Sequence, residues 1–362
     1  MILLTNIFNI FNMKKISKWI KTFVYLLLVE LVFFACNADE QLPANENVYV
    51  AGYTDMTDST AIAAFWKNGE IQKLTDGNSW AQARSIFVSG NDIYVAGFER
   101  KVNENSIAKL WKNGVEQCLT DGVNDAGAYS VFVFKNDVYV AGNENMCAAI
   151  WKNGNIKYLS DDSNYTTIYT TITSLFISDD DVYAVGYERE RNPQTYGLTA
   201  KLWKNGELQN LVIDNDYNSS VASSVYVKSN DVYVSGNDGF VPALWKNGEI
   251  QHLADDFWGN HANSIFVYGK DVYVVGNQYE LLSWGRQSVA MLWKNGEPQI
   301  LSEINKSGVA SSVYVNRKDV YVVGREFDFS TQYGIIKIWK NGVSQNLTDG
   351  TFYAEGLSIF VK

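Results

Sequence analysis

The chain has 362 residues, 46% hydrophobic and 19% charged, enough to bury a large core and too apolar for a disordered chain. Its formal charge is −10; Lys14, Lys15, Lys18 and Lys21 against Glu30 give the segment before Cys36 a balance of +3, which leaves −13 for the rest. So acidic a body has no basic field with which to displace counterions, and this excludes nucleic acid as a partner.

The first predicted element is an address. Met13 offers a second start, the four lysines follow, and Phe23 to Phe34 is mostly apolar. A basic stretch before about a dozen apolar residues has the anatomy of a secretory signal and is short for a membrane span. It ends on Phe33-Phe34-Ala35-Cys36, which resembles a bacterial lipobox, where the cysteine is lipidated and becomes the mature N-terminus. Phe33, Phe34 and Glu30 depart from that pattern, and an uncleaved anchor is the alternative. Asn37-Ala38-Asp39-Glu40 resembles the surface-export signal of Bacteroidota lipoproteins. The resemblance implies a signal peptide over 1–35, a lipidated Cys36 with a linker over 36–46, and an outer-membrane lipoprotein that touches the membrane through its lipid alone. It would face the cell surface or the periplasm.

From residue 47 onward the chain repeats. Trp-Lys-Asn-Gly occurs seven times, starting at Trp66, Trp111, Trp151, Trp203, Trp245, Trp293 and Trp339, at intervals of 40 to 52 residues. Each interval holds four strand patterns, A to D, and such a period with four strands is that of propeller blades. Strand A is expected to begin at Ser85, Ser130, Ser174, Ser224, Ser264, Ser312 and Ser358. Strand B carries a Val-Tyr-Val-like core and is expected to close on Gly52, Gly97, Gly142, Gly186, Gly236, Gly276 and Gly324. Strand C runs into the tryptophan, and strand D ends on a recurrent leucine. A and B are almost continuously apolar, as strands covered on both faces must be.

The turns follow from the same columns. Asn-Gly between C and D is a type I′ hairpin signal, because both central residues need φ > 0. Asp92, Asp137, Asp181, Asp231, Asp271 and Asp319 stand in the A–B turn, where a carboxylate can accept backbone N–H bonds. The D–A stretch never falls below ten residues, whereas the B–C stretch shrinks to five. A link from one blade's rim to the next blade's centre needs a minimum reach, so D–A crosses between blades and A is innermost. The last strand, Ser358-Ile359-Phe360-Val361-Lys362, then joins the first blade. The expected fold is all-β: a seven-bladed β-propeller over 47–362, with four-stranded antiparallel blades and a C-terminal strand completing the N-terminal one.

These repeats resemble those of bacterial secreted propeller lipoproteins in the broad WD40 and quinoprotein-like group. The WD40 Trp-Asp ending and recurring histidine are absent, as is the Asp-box of sialidase propellers. The resemblance implies a scaffold and no particular chemistry. Ser, Asp and Trp recur once per blade, which argues structure, since a catalytic site is a single asymmetric constellation. His252 and His261 are the only imidazoles, nine residues apart, with no metal-ligand spacing and no Gly-x-Ser-x-Gly. His252 lies in a variable outer column, and His261 is expected in a D–A loop. Cys147 occupies a column of small apolar residues and reads as a small buried hydrophobe, while the column of Cys118 tolerates any residue. No catalytic residue, metal or cofactor is assigned.

All length variation falls in the D–A and B–C loops, which share one face of the disc. Candidate ligand-binding residues there are Trp80, Tyr129, Tyr169, Tyr217, Trp258, His261, Trp284 and Tyr353. An invariant framework with aromatic-rich loops on one side is how scaffolds present binding sites. The expected function is a monomeric, non-enzymatic surface module that binds a carbohydrate, neutral in view of the net charge. The alternatives are a subunit docking to an envelope protein and a polysaccharide hydrolase or lyase acting through paired carboxylates.

Overall fold

Seven repeats become seven four-stranded antiparallel sheets. The structure, a computed structural model, describes residues 46–362 except 58, 160–166, 191–196, 214–218, 255–259, 283–284, 304–305 and 329–332. Cys36 and the segment before it lie outside the described residues. Asn47–Lys362 is one compact unit, and every regular element described in it is a strand, β1 to β28 in chain order. The first blade has the order β28 (Glu355–Val361), β1 (Val48–Thr54), β2 (Ile62–Lys67), β3 (Glu70–Lys73), so the last strand does complete the first sheet. The other A strands are β4 (Trp80–Ser89), β8 (Ala126–Phe134), β12 (Thr167–Ser178), β16 (Ser220–Lys228), β20 (His261–Tyr268) and β24 (Ser307–Asn316). Each packs against the next, and β28 packs against β4, which closes the ring of inner strands.

The core is a set of slabs between blades rather than one centre. In one slab Tyr94, Ala96, Ala108 and Leu110 meet Val131, Val140, Ala149 and Trp151 of the following blade. All seven repeat tryptophans are at most 3% exposed. Ring burial of this size dominates inter-blade energetics. The outermost strands, by contrast, are short and exposed, as Glu70–Lys73 and Val115–Cys118 show.

The rest of the four-residue word latches two turns together. Asparagine and glycine both take positive φ, as in Asn113 at 52° and Gly114 at 81°, which is the type I′ geometry. The asparagine Oδ1 accepts the strand-B amide, as in Asn113 from Ile93 N–H at 2.8 Å. Its Nδ2 donates to the A–B turn aspartate, as in Asn113 to Asp92 at 2.8 Å. The lysine bridges to the same aspartate and lies over the strand-B tyrosine; Lys294 is 2.9 Å from Asp271 and 5.3 Å from the Tyr273 ring centroid. The latch holds the six aspartates below the ordinary carboxylate range. The lysine bond is the larger cause at Asp92, Asp137 and Asp181, and the asparagine bond at Asp231, Asp271 and Asp319. The first blade has Asn47 in the aspartate's place, where it accepts from Asn68 at 2.9 Å.

Two expected boundaries move. The A strands begin before their serines, and the B strands run on past their glycines, as β5 (Asp92–Arg100) and β13 (Asp181–Glu190) do beyond Gly97 and Gly186. The cause is a β-bulge in every blade. Register shifts between Ala83 and Ser85, and at the equivalent place in the other six sheets. The glycine faces that bulge. A Cβ on Gly97 or Gly276 would sit 2.0 or 1.7 Å from the carbonyl oxygen of Gln82 or His261. Glycine is there to admit a neighbouring backbone, not to stop a strand.

Candidate binding site on the propeller axis

The bulge divides each inner strand into two halves. Side chains alternate along a strand, so an inserted residue shifts the alternation by one. In β4 the core-facing residues are Ala81 and Ala83 before the bulge, then Ile86 and Val88 after it. The half-buried residues between, Arg84, Ser85 and Phe87, face the axis.

After the bulge the seven strands are equivalent. Serine hydroxyls tie blade to blade: the Val131 amide donates to Ser85 Oγ at 3.1 Å, and Leu175 to Ser130 at 3.1 Å. Four further bonds of this kind accept the amides of Ile86, Val225, Val313 and Ile359 at 3.3 Å. One step further, Phe87, Phe132, Phe176, Tyr226, Phe266, Tyr314 and Phe360 form a closed aromatic collar with neighbouring centroids 4.7 to 5.1 Å apart.

At the bulge and before it the equivalence ends. The bulge residues are Arg84, Tyr129, Thr173, Ser223, Asn263, Ser311 and Leu357. All but Ser223 line a cavity of about 610 Å³ on the axis. Tyr169, Thr171, His261, Val309 and Glu355 complete its wall from the same strands, with Tyr187 and Asn277 from the B strands. The cavity is therefore polar and aromatic in its walls, with a different bulge residue from each of the six blades that line it, and seated on the D–A and B–C side.

Its charges are few. The Arg84 guanidinium lies 5.8 Å from the ring centroids of both Phe98 and Tyr129. Arg84 Nε is buried without a hydrogen-bond partner. Glu355, the one carboxylate among the described wall residues, accepts from Tyr53 Oη at 2.6 Å and lies 3.5 Å from Arg325 Nε. Burial opposes the charge on Arg325, but Glu355, Tyr353 and Tyr53 outweigh it and raise its pKa. Arg325 also donates to Tyr353 Oη. Burial pushes Tyr187 up to about 12, helped by Tyr169, whose ring centroid is 6.0 Å away, and burial raises Tyr129 as well. These phenols keep their protons and can donate. His261 is open to the cavity yet partly desolvated, which lowers its pKa and leaves it neutral at pH 7.

Of the sequence candidates, Tyr129, Tyr169 and His261 meet in this cavity. His261 is the first residue of β20 rather than part of a loop, and Trp80 likewise opens β4, because the A strands start early. Trp80 does not line the cavity, and Tyr353 stands behind it on Arg325. Tyr217, Trp258 and Trp284 lie outside the described residues. His252 is exposed, as expected, with Nε2 3.1 Å from the buried Asp238. Cys147 is only half-buried and Cys118 is exposed, and the two form no disulfide. Among the wall residues that sequence reasoning missed are the bulge residues Arg84, Thr173, Asn263, Ser311 and Leu357. Their signal was a variable residue between two nearly constant columns: Ala83-Arg84-Ser85, Ala128-Tyr129-Ser130, Ala262-Asn263-Ser264.

No protein-family model matches the chain, and no curated protein matches it in sequence. The fold does match solved structures. A puromycin-hydrolyzing peptidase of Mycobacterium tuberculosis superposes with a TM-score of 0.50 at 9% identity, over 82% of this chain and 53% of that one. The β-propeller domain of the Trilobed protease from Pyrococcus furiosus gives 0.49 at 12% identity, over 84% and 95%. The chain thus spans about half the length of the first enzyme, and at these identities the likeness is one of fold: this is a seven-bladed β-propeller.

Proposed function

We propose that this propeller is a non-enzymatic binding module that takes a glycan in its axial cavity. The observation that carries the reading is the concentration of difference: seven near-identical strands become unlike one another only where they surround a cavity of about 610 Å³. Tyrosine rings offer stacking faces to sugar C–H surfaces, and Asn263, Asn277, Thr171 and Ser311 offer donors and acceptors to hydroxyls. A second wall carboxylate, which acid–base hydrolysis of a glycosidic bond would use, is missing among the described lining residues. The net charge of −10 disfavours a polyanionic ligand. The lipobox-like sequence supports attachment to an outer membrane through lipid on Cys36, with the propeller as its exposed body.

A glycan array probed with the full chain in detergent tests the binding reading. Selective binding, reduced by Tyr169→Ala, is the expected result. Absence of any glycan binding would transfer the cavity to a protein or peptide partner. Cys36→Ala is expected to move the protein into soluble fractions, and its retention in the membrane fraction would mean an uncleaved anchor.

A further inference from the structure

We propose that the glycan is held through a single carboxylate received by Arg84, so that the ligand contains an acidic sugar. This rests on the glycan reading of the axial cavity and names its decisive contact.

Four other cations within the blades each face a glutamate. Lys337 lies 2.9 Å from Glu326, Lys201 3.1 Å from Glu188, and Lys109 2.8 Å from Glu116, while Arg325 has Glu355. Arg84 has no ion pair among the described residues, in a chain with 40 acidic residues against 30 basic ones. Two carboxylates of its surroundings, Glu355 in the same wall and Asp125, which acts on Tyr129, are committed elsewhere. Glu355 is held by Tyr53 and Arg325, and Asp125 Oδ1 accepts the Ser106 amide at 2.8 Å. The bulge turns Arg84 toward the axis, with its guanidinium carbon 5.8 Å from the ring centroids of Phe98 and Tyr129. A guanidinium's planar fork matches a carboxylate in two parallel hydrogen bonds. A partly desolvated charge without a counter-charge costs free energy, and a ligand that supplies one recovers it.

The rest of the wall specifies the carrier. Tyr129, Tyr169 and Tyr187 line the same wall as Arg84 and offer rings and hydroxyls to a sugar. One unpaired guanidinium balances one negative charge. Uronic acids and sialic acids have this chemistry, a carboxylate on a sugar ring.

The test is an array of one oligosaccharide series ending in glucuronate, galacturonate or N-acetylneuraminate, beside the methyl esters, the neutral parents and sulfated parents. It is probed with the full chain and its Arg84→Gln and Arg84→Lys variants, each checked by thermal melting. We expect binding to one or more of the carboxylates, little to the esters or parents, and a loss of about 10- to 100-fold in Arg84→Gln with partial recovery in Arg84→Lys. Equal binding of neutral parents or esters, binding confined to sulfated glycans, or an undiminished Arg84→Gln would overturn the carboxylate contact while leaving the glycan reading in place. No binding to any glycan would overturn both.

Discussion

The two halves of each inner strand make different use of the same repeat. After the bulge, serines accept the amides of neighbouring blades and seven aromatic rings form one collar. At it, Arg84, Tyr129, Thr173, Asn263 and Leu357 hold equivalent places with unlike side chains. Closing a ring needs equivalence, because each blade must fit the next, whereas recognising an asymmetric ligand needs the equivalence broken. The bulge lets one strand serve both needs, and its facing glycine is the structural cost.

The comparison can be broken most severely at the seam. Removing Ser358 to Lys362 takes away Phe360 from the collar and most of the strand paired with β1. The truncated protein is expected to lose its cooperative melt and to aggregate through the exposed strand edge, as size-exclusion chromatography would show. An unchanged melt would mean the ring does not depend on its closing strand.

Next comes the repeated framework. Trp151→Ala empties a fully buried site between two blades and should cost about 3–5 kcal/mol in denaturant unfolding. Gly142→Ala probes the bulge itself, since its Cβ would fall 1.9 Å from the Gly127 carbonyl oxygen. A destabilisation of about 2 kcal/mol or more is expected, against the few tenths typical of an exposed site. A neutral outcome would show that the bulge does not require glycine.

The turn latches give a smaller, pH-dependent effect. Their aspartates have pKa values lowered in the folded state. Their contribution is therefore fully present above the unfolded value of about 4 and is lost as pH falls through the lower folded value. The melting temperature should hold from pH 7 to about 5 and decline below about 4. Changing all six aspartates to asparagine should flatten that acid limb relative to wild type, and an identical limb would assign it to other groups. The smallest stability effect belongs to the cavity: Arg84→Gln and Tyr187→Phe are expected to leave the melt within about 0.5 kcal/mol of wild type.

Much of the framework was readable before any coordinates. Trp-Lys-Asn-Gly contains the buried ring, the latch cation, the turn residue and the positive-φ glycine in one word, so periodicity and turn chemistry led to the blades. Loop lengths placed strand A innermost. The site was harder to read because a single inserted residue reverses the alternation of the strand. Arg84 stands two before Ile86, which would place both on one face of an unbroken strand, yet one faces the axis and the other the core. Attention to long aromatic loops found Tyr129, Tyr169 and His261 but passed over Arg84, whose only mark was its difference from its six counterparts.

Thr173 and Asn263 donate to the next blade, to Ala222 O at 2.7 Å and Ala310 O at 2.9 Å. The central claim is that Arg84, Tyr129 and Leu357 carry recognition and not the fold. Arg84, Tyr129 and Leu357 make no hydrogen bond to another blade among the described residues, and serine already stands at two bulge positions, 223 and 311. The most direct test is therefore one protein, Arg84→Ser with Tyr129→Ser and Leu357→Ser, compared with wild type by thermal melting and on the same glycan array. The account predicts a cooperative melt close to wild type and loss of the wild-type binding profile. An unfolded variant, or one that binds as wild type does, would contradict it.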